Sequence, residues 1–339
     1  MPVTVVIGGQ FGSEGKGKVA HYLAKEMKAT FAVRCGGANS GHTVIDEYGH
    51  RHIFRHLPTA AILPDIKLVI SAGSYINEDV LLKEIEQYKI MPERLYIDPK
   101  AVIITDECVQ REQQSGLVQH IGSTGSGTGA AVVSRIQRQE DVVFAKNSRK
   151  LQQYVQQRNV SGILRKALHQ QERIILEGTQ GFGLSVLHSP YYPKVTSRDT
   201  TAAAFIAEAG LSPRDVDDIV MVIRAFPIRV AGDSGPLPEE ITWAQLESEG
   251  KHPHKIEEFT SVTQKLRRIA RFDANIVLSA IETNVPTRIV LNHVDYYKYN
   301  ICSDTNLLKT YIDNISKSIK QDIDFIGLSP SLLLKTSSI

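Results

Sequence analysis

Gly8-Gly9-Gln10-Phe11-Gly12-Ser13-Glu14-Gly15-Lys16-Gly17-Lys18 lies between a strand-like run, Val3-Thr4-Val5-Val6-Ile7, and a helix-like run with apolar residues at Val19, Ala20, Leu23, Ala24 and Met27. Strand, glycine loop, lysine and helix, in that order, build a phosphate cradle. Glycines let backbone N–H groups approach phosphate oxygens, and the helix N-terminus adds partial positive charge. The usual cradle has Ser or Thr directly after its lysine to bind Mg²⁺, and here Gly17 follows Lys16. The metal therefore needs another ligand, and Ser13 is the candidate within the loop.

Further apolar runs alternate with helix-like stretches. They fall at 31–33, 68–70, 94–97, 101–104, 173–176, 220–223 and 288–291. This alternation predicts an α/β fold, a mostly parallel central sheet flanked by helices. Ligands bind such sheets at the carboxyl ends of the strands. Polar motifs stand at those ends, after Ile7, Val33, Leu176, Ile223 and Leu291. A Gln-rich helix is expected around 150–172, and residues 230–262, rich in Pro, Gly and charge, read as a long functional loop. No composition break divides the chain, so residues 1–339 are taken as one domain.

The 339 residues, 42% hydrophobic, can bury a sizeable core. A net charge of +2 argues against a nucleic-acid-coating surface. Cys35, Cys108 and Cys302 show no metal-binding spacing and suit free thiols in a cytoplasm. No signal peptide is read at the N-terminus, and no apolar run approaches the roughly 18 residues of a membrane span.

Four more motifs admit a structural and a functional reading. Gly36-Gly37-Ala38-Asn39-Ser40-Gly41-His42-Thr43 is either a turn or a place where His42 meets a phosphoryl oxygen and the Gly41 carbonyl meets Mg²⁺. Gly122-Ser123-Thr124-Gly125-Ser126-Gly127 is either a linker or a second phosphate site, backed by Arg135 and Arg138. In Glu177-Gly178-Thr179-Gln180-Gly181 a capped turn competes with a glutamine reading a purine edge. Residues 260–268 are either a solvated basic segment or a dicarboxylate pocket. Asn292-His293-Val294-Asp295 is similar to the Asn/Thr-Lys-x-Asp element that reads guanine, with His293 for the lysine.

Together these motifs resemble adenylosuccinate synthetase along almost the whole chain. The family's loop reads Gly-x-Gln-Trp-Gly-Asp-Glu-Gly-Lys-Gly-Lys, and this chain differs mainly at Phe11 and Ser13. Residues 36–43, 122–127 and 177–181 match its next three motifs, with Ser123 for a Thr. The resemblance implies a P-loop-NTPase-like fold and a ligase that joins aspartate to the 6-position of a purine nucleotide. A nucleoside triphosphate first phosphorylates the 6-oxygen, and the aspartate amine then displaces phosphate.

By resemblance, Gly12, Ser13, Glu14, Gly15, Lys16, Gly17 and Lys18, with Gly41, His42 and Thr43, take the donor phosphates. Asn292 and Asp295 lie at the donor base, and the 326–330 stretch falls near it. His42 and Lys16 act in catalysis, His42 as general acid, and Mg²⁺ sits at Ser13 and Gly41. Asn39, Ser123, Thr124, Gln180 and Thr196 hold the acceptor nucleotide, with Val230 beside its sugar. Arg138 matches an arginine that reaches the acceptor phosphate of the neighbouring subunit, which implies a homodimer. Val262, Thr263, Lys265 and Arg267 match the aspartate-binding loop.

The chief departure is Ser13, where the family has an aspartate that takes the N1 proton and touches the metal. One branch of the family resembles this chain there: bacteriophage enzymes that join aspartate to dGMP as a precursor of 2-aminoadenine DNA. Lys265 replaces an arginine near the sugar, which fits an acceptor lacking a 2′-hydroxyl. His293 weakens the case for GTP and favours ATP or dATP. The expectation is a cytoplasmic dGMP:aspartate ligase, working in the host cytoplasm if it is phage-encoded. The alternatives are an IMP- and GTP-using adenylosuccinate synthetase and a non-catalytic nucleotide-binding regulator.

Overall fold

The computed structural model describes residues 2–260 and 264–339. Nine strands form one sheet: β1 (Val3–Gly8), β2 (Phe31–Arg34), β3 (Lys67–Ile70), β4 (Leu95–Ile97), β5 (Ile174–Glu177), β6 (Val216–Arg224), β7 (Arg288–Asn292), β8 (Phe325–Gly327) and β9 (Leu333–Lys335). Their order is β9-β8-β7-β6-β1-β5-β2-β3-β4. All pairings are parallel except β8 with β9.

Strands buried on both faces must be apolar throughout, which is why the runs were continuous rather than alternating. Val3, Val5 and Ile7 point to one core and Val6 to the other. The first core is covered by helices Val160–His169, Ala202–Ala209, Ala274–Asn284 and Thr305–Ile319. The second is covered by Lys16–Glu26, through Val19, Ala20, Leu23 and Ala24, and by Glu78–Gln87. A smaller cluster of Tyr75, Val102, Ile104, Cys108, Ala131 and Val132 seats the Thr128–Ile136 helix.

Three local expectations are corrected. The 101–104 run does not join the large sheet. The Asp98 carboxylate takes the Lys100 and Val160 amides, the chain turns at Pro99, and Val102–Ile103 pairs with Tyr75–Ile76 on one side and meets Val143 and Phe144 on the other. The 150–172 helix begins at Val160, because the backbone at Tyr154 and Gln156 is spent on hydrogen bonds to Ile97 at the sheet edge. The 230–260 stretch contains the strand Glu240–Ile241 and a helix, Trp243–Glu249, started by a Thr242/Gln245 capping box. No described helix is long and apolar enough to cross a membrane.

Candidate functional site

Four strands in the middle of the sheet end on a buried polar residue. They are Arg34 on β2, Glu177 on β5, Arg224 on β6 and Asn292 on β7. Register sets Arg34 beside Glu177 and Arg224 beside Asn292. Between the two pairs β1 ends at Gly8 and opens the glycine loop. The candidate site is built on this row.

The loop turns through left-handed backbone at Gly12 (φ 86°), Ser13 (φ 57°) and Gly15 (φ 89°) before the Lys16–Glu26 helix. Glu14 is fully buried beneath it. Its carboxylate accepts from the Gln10 and Gly12 amides at 3.1 and 2.8 Å and pairs with Lys16 Nζ at 2.7 Å. Glu14 thus shapes the loop from inside and holds the lysine along it. Gly181 packs so tightly there that a Cβ would lie 2.3 Å from the Glu14 carboxylate.

Ser13 is exposed at the crest of the loop. A non-glycine residue at this φ costs on the order of 1 kcal/mol and needs an external hold. That hold is Arg224, whose Nη1 donates to the Ser13 carbonyl at 2.9 Å. Arg224 Nη2 donates to Glu258 at 2.5 Å, and Tyr296 OH donates to the same carboxylate at 2.9 Å. Burial works to raise the Glu258 carboxyl, but Arg224, with His293 and Arg267, holds it down at about 2.

Gly17 brings the hairpin of His42–Ile45 and Arg51–Phe54 against the helix start, where its Cβ would lie 3.0 Å from His42 Cβ. His42 Nδ1 is hydrogen-bonded to Glu177 Oε1. The other carboxylate oxygen takes the Thr59 amide at 2.8 Å and hydroxyl at 2.9 Å, and Arg34 lies 3.6 Å from Oε1. Burial, then Arg34, push the imidazole down to about 4 despite Glu177. His42 is therefore neutral at pH 7, its Nδ1–H donating to Glu177 and Nε2 left as the acceptor nitrogen.

On the other flank Asn292 Nδ2 donates to the Glu14 carbonyl at 2.7 Å. Its buried Oδ1 has no protein partner. Lys18 Nζ donates to the Ser329 carbonyl at 3.1 Å, and burial pushes it down to about 8 against the pull of Asp295. Burial raises Asp295, and burial with Arg224 pushes His293 down to about 3. Gly327 sits where a Cβ would lie 2.0 Å from Asn292 Oδ1 and 2.4 Å from Lys18 Nζ. The expected donor-side residues and the 326–330 stretch thus meet in space.

The expected acceptor residues are each held by nearby partners, and two of their segments meet at Gly122 and Val230. Gln180 lies against Gly12, and Asn39 Oδ1 lies 3.4 Å from a Cβ built on Gly37. Ser123 donates to Glu112 at 2.6 Å, Thr124 to Ser126 at 3.0 Å, and Gly122 faces Val230. The Thr196 amide donates to Leu184. Arg138 stands apart, just past the exposed end of the Thr128–Ile136 helix (φ 59°), beyond the exposed Val133 and Ile136. Nine helical residues at about 1.5 Å each separate it from the Thr124 end. The Arg267 amide donates to the Glu258 carbonyl at 2.9 Å, and Lys265 is exposed, its amide on Thr260. Val262 and Thr263 lie outside the described residues.

No three His, Cys, Asp or Glu side chains gather as a metal site among the described residues. Ser13 and Gly41 offer only oxygens, and the nearby Glu14 carboxylate is taken up by amides and Lys16. This donor set fits Mg²⁺, which commonly takes few protein ligands and completes its shell with phosphate and water. Sequence reading missed Arg34, Glu177, Arg224 and Glu258 as parts of the site. The signal for the first three was a single charged residue closing an apolar strand: Phe-Ala-Val-Arg, Ile-Ile-Leu-Glu and Val-Met-Val-Ile-Arg.

Comparison with known proteins identifies the family. The family model for adenylosuccinate synthetase matches residues 5–145 and 140–303. Adenylosuccinate synthetase of Methanocaldococcus jannaschii is 35% identical over 97% of this chain and 94% of its own. That of Archaeoglobus fulgidus is 33% identical over 98% and 97%. Among solved structures, the succinoaminodeoxyadenylate synthetase (PurZ) of cyanophage S-2L, bound to dGMP and dATP as an energy donor, has a TM-score of 0.83 and 28% identity over 99% of this chain and 95% of that one. Fully ligated adenylosuccinate synthetase of Plasmodium falciparum shares the fold, with a TM-score of 0.86 and 20% identity over 99% of each chain. The chain belongs to the adenylosuccinate synthetase family and is a C–N bond-forming aspartate ligase.

Proposed function

We propose that this ligase joins L-aspartate to C6 of dGMP, with ATP or dATP as phosphoryl donor, giving N6-succino-2-amino-2′-deoxyadenylate, the nucleoside diphosphate and phosphate. Ser13 carries the reading. It holds the loop position of the family's aspartate with a short, neutral side chain, at the exposed crest where an acceptor's N1 edge is expected. A 2-amino group beside N1 needs that room. Similarity to a protein bound to dGMP and dATP supports the same choice. Lys265 and His293 support a deoxyribose acceptor and an adenine donor.

In this reading Lys16 and the loop amides hold the transferred phosphoryl group. Ser13 Oγ and the Gly41 carbonyl would hold Mg²⁺, which would neutralise phosphate charge. Ser13 accepts or relays the N1 proton. His42 faces the 6-oxygen, and the approach of anionic phosphate raises its proton affinity from the depressed value of the free protein. Glu177 keeps the ring oriented. Lys265 and Arg267, with Val262 and Thr263, bind aspartate, and Arg138 serves the partner site of a homodimer. A second reading, IMP with GTP, is favoured by the names of the archaeal relatives and by Asp295.

Phosphate release separates the two. Purified protein with Mg²⁺ and aspartate is offered dGMP or IMP, each with ATP, dATP or GTP. Release with dGMP and ATP or dATP is expected. Release with IMP but not dGMP overturns the proposal. Ser13→Ala lowers dGMP turnover about 100-fold or more if its hydroxyl handles the proton, and near-native turnover removes Ser13 from the chemistry.

A further inference from the structure

Lys194 ties together segments that the proposed site brings to the acceptor nucleotide. Its ammonium donates to the His120 carbonyl, to the Asp233 carbonyl at 3.1 Å and to Asp233 Oδ2 at 2.5 Å. An ammonium has three protons, and all three are used. His120 leads into Gly122, Ser123 and Thr124; Asp233 follows Val230; and Lys194 itself precedes Thr196. Gly122 lies where a Cβ would stand 3.4 Å from Val230 Cγ2, so the 120 and 230 segments abut at this junction.

A second tie runs beneath the first. Arg229, buried over Phe11 of the phosphate loop at 4.7 Å, donates to the Lys194 carbonyl at 2.8 Å and to the Ser234 carbonyl. Arg229 fixes the 194 segment to the 230 segment but donates nothing to residues 117–122. Lys194 makes that connection.

We propose that Lys194 is a positioning residue for acceptor binding, fixing the Gly122–Thr124 segment against Val230 and Thr196. It acts without touching substrate. The inference rests on the assignment of these segments to the acceptor and holds for dGMP or IMP alike. Because the Lys194–Asp233 pair is a surface contact, its loss changes substrate binding more than stability.

The test compares Lys194→Met, Lys194→Arg and Asp233→Asn with the native enzyme, using whichever of dGMP and IMP the native enzyme turns over. Lys194→Met raises the acceptor KM about tenfold, the factor of one ordinary hydrogen bond. Donor and aspartate KM, kcat and Tm move little. Lys194→Arg recovers most of the loss, and Asp233→Asn, which keeps both carbonyl partners, has a smaller effect. An acceptor KM within about twofold of native in Lys194→Met, or an equal rise in donor KM, overturns the proposal. If Lys194→Met does not fold, an unchanged acceptor KM in Asp233→Asn together with no preference of Lys194→Arg for native-like binding overturns it instead. Native turnover of IMP alone removes the dGMP reading while the Lys194 measurement proceeds on IMP. If neither acceptor is turned over, calorimetric titration with both replaces KM, and binding that Lys194→Met leaves unchanged overturns the inference.

Discussion

Arg224 Nη1 donates to the backbone carbonyl of Ser13 at 2.9 Å while Nη2 of the same guanidinium holds Glu258 at 2.5 Å. One buried side chain thus fixes the residue on which acceptor choice is proposed to turn and the start of the segment leading to Arg267. Tyr296, just past the donor-side Asp295, completes the group through Glu258. The phosphate-loop residue Ser13, the 292–296 element and the segment leading to Arg267 share one electrostatic anchor.

Removing one partner of this anchor strands the other. Arg224→Met lowers stability by about 1–3 kcal/mol, because the half-buried Glu258 carboxylate and the Ser13 carbonyl lose their donor. Adding Glu258→Gln restores about 1 kcal/mol of that loss. Urea denaturation of the two single variants and the double variant measures the coupling. Strictly additive losses count against the anchor.

Glu177 orients His42 and balances Arg34. Glu177→Gln lowers kcat about 100-fold, on the scale of one positioned acid–base group. Donor and acceptor KM change far less. Single-turnover phosphate release reports this, and unchanged kcat in folded protein removes Glu177 from the chemistry.

Gly327→Ala places a methyl group 2.0 Å from Asn292 Oδ1 and 2.4 Å from Lys18 Nζ. Both side chains must move, and donor KM rises about tenfold or more while acceptor KM holds, a cost of at least about 1.4 kcal/mol. Gly162→Ala, where a Cβ meets nothing within 4 Å, is the neutral control. Equal donor KM in the two variants contradicts the donor-side assignment.

Acid weakens the fold through histidines buried neutral. His42 is pushed down to about 4 and His56 and His293 to about 3, in each case first by burial. Unfolded, each binds its proton near the ordinary value of about 6.5. The unfolded chain therefore holds more protons between these values, so stability is full above about pH 6.5 and falls as pH drops toward 4. The loss is about 2 kcal/mol per histidine at pH 5. Urea midpoints at pH 7.5 and 5.0 measure it, and equal midpoints refute it.

The order of residues determined the parallel sheet and the phosphate cradle. Continuous apolar runs mark strands buried on both faces, and closely spaced glycines before Lys16 mark backbone open to phosphate. Both are local signals. Only the tertiary structure decided which charges meet. Ser13 and Arg224 lie 211 residues apart, and His42 and Glu177 lie 135 apart. Their pairing follows from strand order, which sets β5 and β6 on either side of β1. Arg34, Glu177 and Arg224 each look like the polar end of a strand until that order sets Arg34 beside Glu177 and Arg224 beside the loop after β1. Burial then compels each to find a partner, since an unpaired charge in the core costs several kcal/mol.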